Sequence, residues 1–230
     1  MITPAHARFM ALAVAILAVA CGGPAAVVRP TPTEGATPTA TPSASAATSA
    51  AAWTVTDKSK ATVRVREQLV GVSLPSDAVL TATGAAGSFQ LNADGTFAPG
   101  SKITVDLRTL ESDNSNRDGF IKNDTIRVRQ FPTAEFVPTK TSGLTVPLQS
   151  SGTFTFKLAG NMTMRGMTKE VTFDVQARRD GSDLNATVTA NPSWKFGDFG
   201  MTAPAVPFRV VSIVDEIRVA IDLVATGPRD

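Results

Sequence analysis

Tyrosine is absent from this chain, and cysteine and histidine occur once each, as Cys21 and His6. Both lie in the N-terminal stretch that opens with Arg8, runs apolar from Phe9 to Val19 and ends in Ala20-Cys21. That layout is a signal peptide over residues 1–20. Its apolar run is about half of the roughly 20 residues that a spanning helix needs, and no other stretch of the chain is long and apolar enough. A transmembrane helix is therefore not expected. Removal of the signal also removes the only histidine, which excludes Ser-His-Asp and Cys-His nucleophile systems and histidine-containing zinc or haem sites. One cysteine allows no intramolecular disulfide, so the fold has to stand on its apolar core. No cofactor and no metal site is expected.

Charge of one sign is also lacking. Taking Arg8 from 22 basic residues leaves 21 against 20 acidic ones, a mature net charge of about +1. No block of lysine and arginine interleaved with aromatics occurs, so nucleic acid is not an expected partner. The segment Leu17-Ala18-Val19-Ala20-Cys21-Gly22 resembles a bacterial lipobox, with Ala18 where leucine is commonest. That resemblance implies a lipoprotein acylated at Cys21 with palmitate-like chains. Two or three such chains hold a protein stably on a membrane, facing outward from the cell membrane or outer membrane. From Gly22 to Ala52 the composition turns to Pro, Thr, Ala and Ser, with Arg29 and Glu34 as the only charges and no aromatic residue. Such a stretch cannot bury a core and reads as a disordered linker reaching roughly 30 Å.

Aromatics, alternation and turn chemistry begin together at Trp53, so residues 53–230 are read as one domain. Ile103, Val105 and Leu107 share a face opposite Thr104, Asp106 and Arg108. The same period returns at Val171, Phe173, Val175, at Leu184, Ala186, Val188 and at Ile217, Val219, Ile221, Leu223. Phe154, Phe156 and Leu158 lead through Gly160 to Met162 and Met164. Each segment is a strand with one buried and one wet face. Asn92 to Gly95, Arg165-Gly166 and Asp180-Gly181 are hairpin signals. The expected fold is all-β: an antiparallel meander that closes as a barrel or packs as a sandwich, with a short helix within 113–123 contacting through Phe120 and Ile121.

These residues resemble the YceI-like family of lipid-binding proteins. The resemblance is carried by the order and spacing of Trp53-Thr54-Val55, Gly84 to Phe89, Ile103 to Leu110, Ser112-Asp113 and Arg117-Asp118. It continues through Arg129 to Phe136, Leu158 to Lys169 and Asp198-Phe199-Gly200-Met201. It implies an extended, lipocalin-like antiparallel β-barrel holding a long isoprenoid, a quinone or a similar amphiphile, and it does not imply an enzyme. Glu67 to Pro75 depart from the family pattern, where many members have a shorter strand containing histidine, and this segment is expected to shape the barrel mouth.

On this reading the ligand-contact candidates are Phe89, Phe136, Phe156, Met162, Met164, Phe173, Trp194 and Phe199. Flexible methionines suit a pocket that takes related ligands, and the Trp194 indole can face a chain while donating a hydrogen bond. Arg117, Asp118, Arg165 and Lys169, beside turns, are candidates for a head group, with solvated turn positions as the alternative. No residue is assigned a catalytic role. The competing reading is a filled barrel that presents its outer face, or residues 67–80 and 191–208, to an envelope partner. A carboxylate-dependent enzyme is the third, and a homodimer stays open.

Overall fold

The computed structural model describes residues 52–206 and 208–227. The expected signal peptide, the acylation at Cys21 and the linker up to residue 51 lie outside the described residues. Ten strands are present: β1 Ala52–Val55, β2 Lys60–Leu69, β3 Ser76–Ala82, β4 Ala85–Gln90 and β5 Lys102–Asp106, then β6 Thr133–Ser142, β7 Ser151–Met164, β8 Met167–Asp180, β9 Asp183–Ala190 and β10 Val210–Thr226. Trp53, the expected start of the domain, is the second residue of β1.

Every pairing is antiparallel, and the strands follow chain order around a ring. β1 and β2 both pair with β10, at Thr54↔Thr226 and at Val63↔Val219, so they are two halves of one bent stave. β3 and β4 form the next bent stave, pairing with β2 and β1 respectively. The result is a closed, eight-staved, up-and-down barrel without a free edge over most of its length.

Side-chain hydrogen bonds hold both bends. The Ser59 hydroxyl, fully buried, donates to the Val224 carbonyl (3.1 Å) and accepts from the Val224 N–H (2.9 Å). Thr109 Oγ1 accepts from the Thr83 N–H (3.0 Å) and donates to the Thr83 carbonyl (2.8 Å), beside Gly84 at φ +73°.

The expected alternation is present. β9 alternates exposed and buried along its whole length, and Val171, Phe173 and Val175 of β8 are all buried. β7 and β8 are joined by Arg165-Gly166 alone, with φ +51° and +73°, the pair of positive values that a right-twisted two-residue hairpin requires.

One excursion leaves the barrel between β5 and β6. Helix α1 (Ser115–Phe120) is capped by the Asn114 side chain, which accepts from the N–H groups of Asn116 and Arg117. It continues into a π-helical turn, Ile121–Ile126, that ends at Arg127 with φ +61°. Phe120 and Ile121 are half-buried, which fits their position under the helix.

Candidate binding cavity

Aromatic side chains close one end of the barrel. The Trp53 ring stacks at 6.5 Å on Phe89, whose edge meets Phe97 at 6.3 Å. The Arg179 guanidinium, buried, lies 5.1 Å from the Trp53 ring centre and donates to the carbonyls of Gly181, Leu148 and Gln149. A void of only about 70 Å³ remains here, lined by Phe89 and Phe156 among others. That is space for one or two waters at about 30 Å³ each.

Above this plug a second aromatic layer crosses the barrel. Phe136 meets Phe173 at 5.2 Å, Phe173 meets Trp194 at 5.9 Å and Trp194 meets Phe199 at 5.3 Å, all edge to face. Phe173 and Phe199 are essentially inaccessible. The layer needs Gly160, where a Cβ would stand 2.5 Å from the Phe136 ring.

Beyond the layer the barrel is hollow. A cavity of about 1100 Å³ opens toward α1, the β2–β3 loop and the start of β10. Its walls come from β2 and β3 (Val63, Val65, Leu80), β7 (Met162, Met164) and β10 (Ile217, Val219), with Phe120 and Ile121 overhead. Alanine at 61, 78, 82 and 134 leaves the space unfilled. A filled barrel, one of the alternatives the sequence left open, is thus absent from the open half.

Charge enters the lining at three residues: Glu67, Arg117 and Arg209. Glu67, only 6% exposed, accepts from Arg117 Nη2 at 2.7 Å, and Arg117 Nη1 donates to Asp113 at 2.5 Å. An isolated carboxylate at that depth would be costly, and this pair plus Asn114, Asn116 and Thr125 makes one polar station in an apolar wall. A second polar point is the Trp194 indole N–H, buried without a partner among the described residues.

The eight sequence candidates therefore divide by height in the barrel. Met162, Met164 and Trp194 line the large cavity, Phe89 and Phe156 the sealed end, and Phe136, Phe173 and Phe199 pack around the layer between and line neither void. Of the four head-group candidates, Arg117 stands at the cavity. Asp118 instead accepts from the Ser112 N–H (2.9 Å) and hydroxyl (2.6 Å), which fastens the helix to the loop before it. Arg165 donates to the Gly200 carbonyl and Lys169 pairs with Asp198, both away from the lining. Val63, Leu80 and the inward alanines were not singled out from the sequence, although the small size of the alanines was the available signal.

Residues 53–225 match the YceI-like domain. The chain belongs to the YceI-like family. Curated relatives include a UPF0312 protein of Pseudomonas putida, 36% identical over 115 residues that cover 45% of this chain and 54% of the relative. Another, from Pseudomonas fluorescens, is 32% identical over 137 residues, covering 52% of this chain and 66% of the relative. The match thus spans about half the length of the Pseudomonas putida protein. Among solved structures, a polyisoprenoid binding domain from Saccharophagus degradans, implicated in plant cell wall breakdown, aligns with a TM-score of 0.56 at 10% identity. That alignment covers 76% of this chain and 98% of that one. Burkholderia cenocepacia BcnA aligns with a TM-score of 0.53 at 16% identity, covering 74% and 97%. At these identities the likeness concerns the barrel, and the YceI-like fold is common to all three.

Proposed function

We propose that this YceI-like barrel is a binding protein that encloses the chain of a long apolar or amphiphilic lipid of isoprenoid type, tethered to a membrane through acylated Cys21. The observation that carries the reading is the open cavity of about 1100 Å³ with predominantly apolar walls. It slightly exceeds the about 300–1,000 Å³ usual for small-molecule sites. At the packing density of an organic interior it accommodates on the order of 40 carbon atoms. Each methylene transferred from water contributes about 0.8 kcal/mol, so a chain of that length is held firmly without any specific polar contact. The neighbour described as a polyisoprenoid binding domain supports the same ligand class.

The polar station then has a natural role, since Glu67, Arg117 and the unpaired Trp194 N–H offer hydrogen bonds to the polar group of an amphiphile. Binding is favoured over catalysis because the one buried ionisable group in the lining, Glu67, is held in an ion pair by the partly exposed Arg117.

Fluorescence competition with a labelled polyprenol tests the cavity. Ala78→Phe places a ring in the existing space and is expected to abolish displaceable binding while leaving the circular dichroism spectrum unchanged; undiminished binding in that variant would remove the cavity from consideration. The tether is tested separately, by labelling cells with a palmitate analogue. Cys21→Ala is expected to lose the label and the membrane association, and retention of both would discard the anchor.

A further inference from the structure

We infer that the open rim of the barrel is a membrane-docking tip, in which the β2–β3 loop and the start of β10 seat on an anionic phospholipid bilayer so that lipid passes between bilayer and cavity without crossing water. The inference rests on reading the cavity as a lipid site, and it adds where and how the lipid enters.

Large apolar side chains are concentrated on this rim. Val70, Val72 and Leu74 are 53%, 46% and 73% exposed, and Phe208 and Val211 are 96% and 64% exposed. The two segments adjoin, since Val70 N–H donates to the Arg209 carbonyl (3.0 Å) and Leu69 pairs with Val210. Val70, Val72 and Phe208 also line the cavity, so the exposed patch and the interior wall form one apolar surface. A patch of this kind in water marks an interaction site rather than the usual scatter of single exposed residues.

Phe208 carries a second cost. Its φ is +64°, a region that bulky residues seldom adopt and that is tolerated chiefly where a functional position demands it. An aromatic ring held outward at an apolar tip is the arrangement that anchors proteins in the interfacial zone of a bilayer.

The charge pattern identifies the surface. In a chain with 18% charged residues, positions 68–76 contain none and positions 201–214 contain only Arg209, which is cationic. Two apolar segments with no acid between them and one exposed arginine suit anionic head groups, and the exposed Asp113 on the helix side of the opening is paired with Arg117. Two copies meeting tip to tip around a two-fold axis would instead set Arg209 near its own copy and close both cavities.

The tether allows the orientation. β1 enters at the sealed end, where Trp53 packs on Phe89, about 50 Å from the rim at the rise of a β-strand. About 30 residues separate Cys21 from Ala52, enough to extend to roughly 100 Å. A chain anchored at Cys21 can therefore present its far end to the bilayer.

The experiment uses the mature chain with Cys21→Ser, produced without residues 1–20, so that vesicle binding reports the tip rather than the acyl anchor. Co-sedimentation with vesicles of phosphatidylethanolamine and phosphatidylglycerol is compared with the triple variant Val72→Ser, Leu74→Ser, Phe208→Ser. The expected result is a drop of roughly tenfold or more in vesicle partition for the triple variant. Arg209→Gln is expected to lower it roughly fivefold on anionic vesicles and to leave it unchanged on neutral ones. Equal binding of the triple variant, or no vesicle binding by the unsubstituted tip, overturns the inference. So does a dimer in solution that the triple variant converts to monomer. Lipid extracted from the unsubstituted chain gives the independent readout: its absence removes the cavity reading, whereas its presence together with tip-independent vesicle binding removes the docking alone.

Discussion

Gly160 shows how a single side chain sets the boundary between the filled and hollow parts of the barrel. A methyl group there would stand 2.5 Å from the Phe136 ring and from the Val137 carbonyl. Gly160→Ala is expected to destabilise the fold by about 1–3 kcal/mol, the usual cost of overpacking, seen as a lowered denaturant midpoint with unchanged m-value. The Glu67–Arg117 pair gives a second expectation. Arg117→Met leaves the buried carboxylate with no cation and should cost about 3 kcal/mol, whereas adding Glu67→Leu should restore much of that loss. A double-mutant cycle in urea measures both. The residue scale is also where the sequence was least informative. Alternation separates inward from outward side chains, and the eight ligand candidates are inward-facing or buried. It carries no information on height along the barrel axis, which depends on strand tilt and register. Phe136, Phe173 and Phe199 accordingly lie at the layer and Met162 and Met164 above it, although nothing in their local pattern distinguishes them.

At the scale of elements, turn chemistry was legible and bends were not. Asn92 to Gly95, Arg165-Gly166 and Asp180-Gly181 all form turns, with Gly95, Gly166 and Gly181 at positive φ. Gly166→Val would force a β-branched residue to φ +73° and is expected to cost about 1–2 kcal/mol, checked by thermal unfolding with Gly166→Asn as the milder control. The joints between β1 and β2 and between β3 and β4 escaped the sequence because each depends on one hydroxyl, Ser59 or Thr109, bonding to backbone far away in the chain. The helix was legible from the loss of alternation after Asp113. Its π-helical continuation was not, since nothing in the local pattern of Ile121–Ile126 marks the wider turn that accompanies burial of Thr125 and Ile126.

For the whole molecule, ionisation near neutrality has little to act on. Histidine is absent from the described residues. The carboxyls of Asp77, Asp106, Asp174 and Asp198 are held below the usual carboxylate range, chiefly by hydrogen bonds from Arg218, Arg108, Lys157 and Lys169 respectively. A carboxyl whose value is lowered by folding stabilises the fold above its unfolded value of about 3.9, and this contribution is withdrawn as pH falls through the lower folded value. Stability is therefore expected to be flat between about pH 5 and 8 and to decline below about pH 4, modestly and with sensitivity to salt because these pairs are at the surface.

The antiparallel meander was readable from alternation and turns, and its closure as a barrel only through the family that the ordered motifs resemble, while the volume of the hollow half depended on where small residues meet across staves. That hollow is the centre of the functional account. Native mass spectrometry of the domain-bearing mature chain isolated from bacteria, followed by organic extraction, measures its contents directly. A near-stoichiometric long-chain isoprenoid or comparable lipid, lost in Ala78→Phe, is the predicted result; a protein that emerges empty and takes up no added polyprenyl lipid would contradict it.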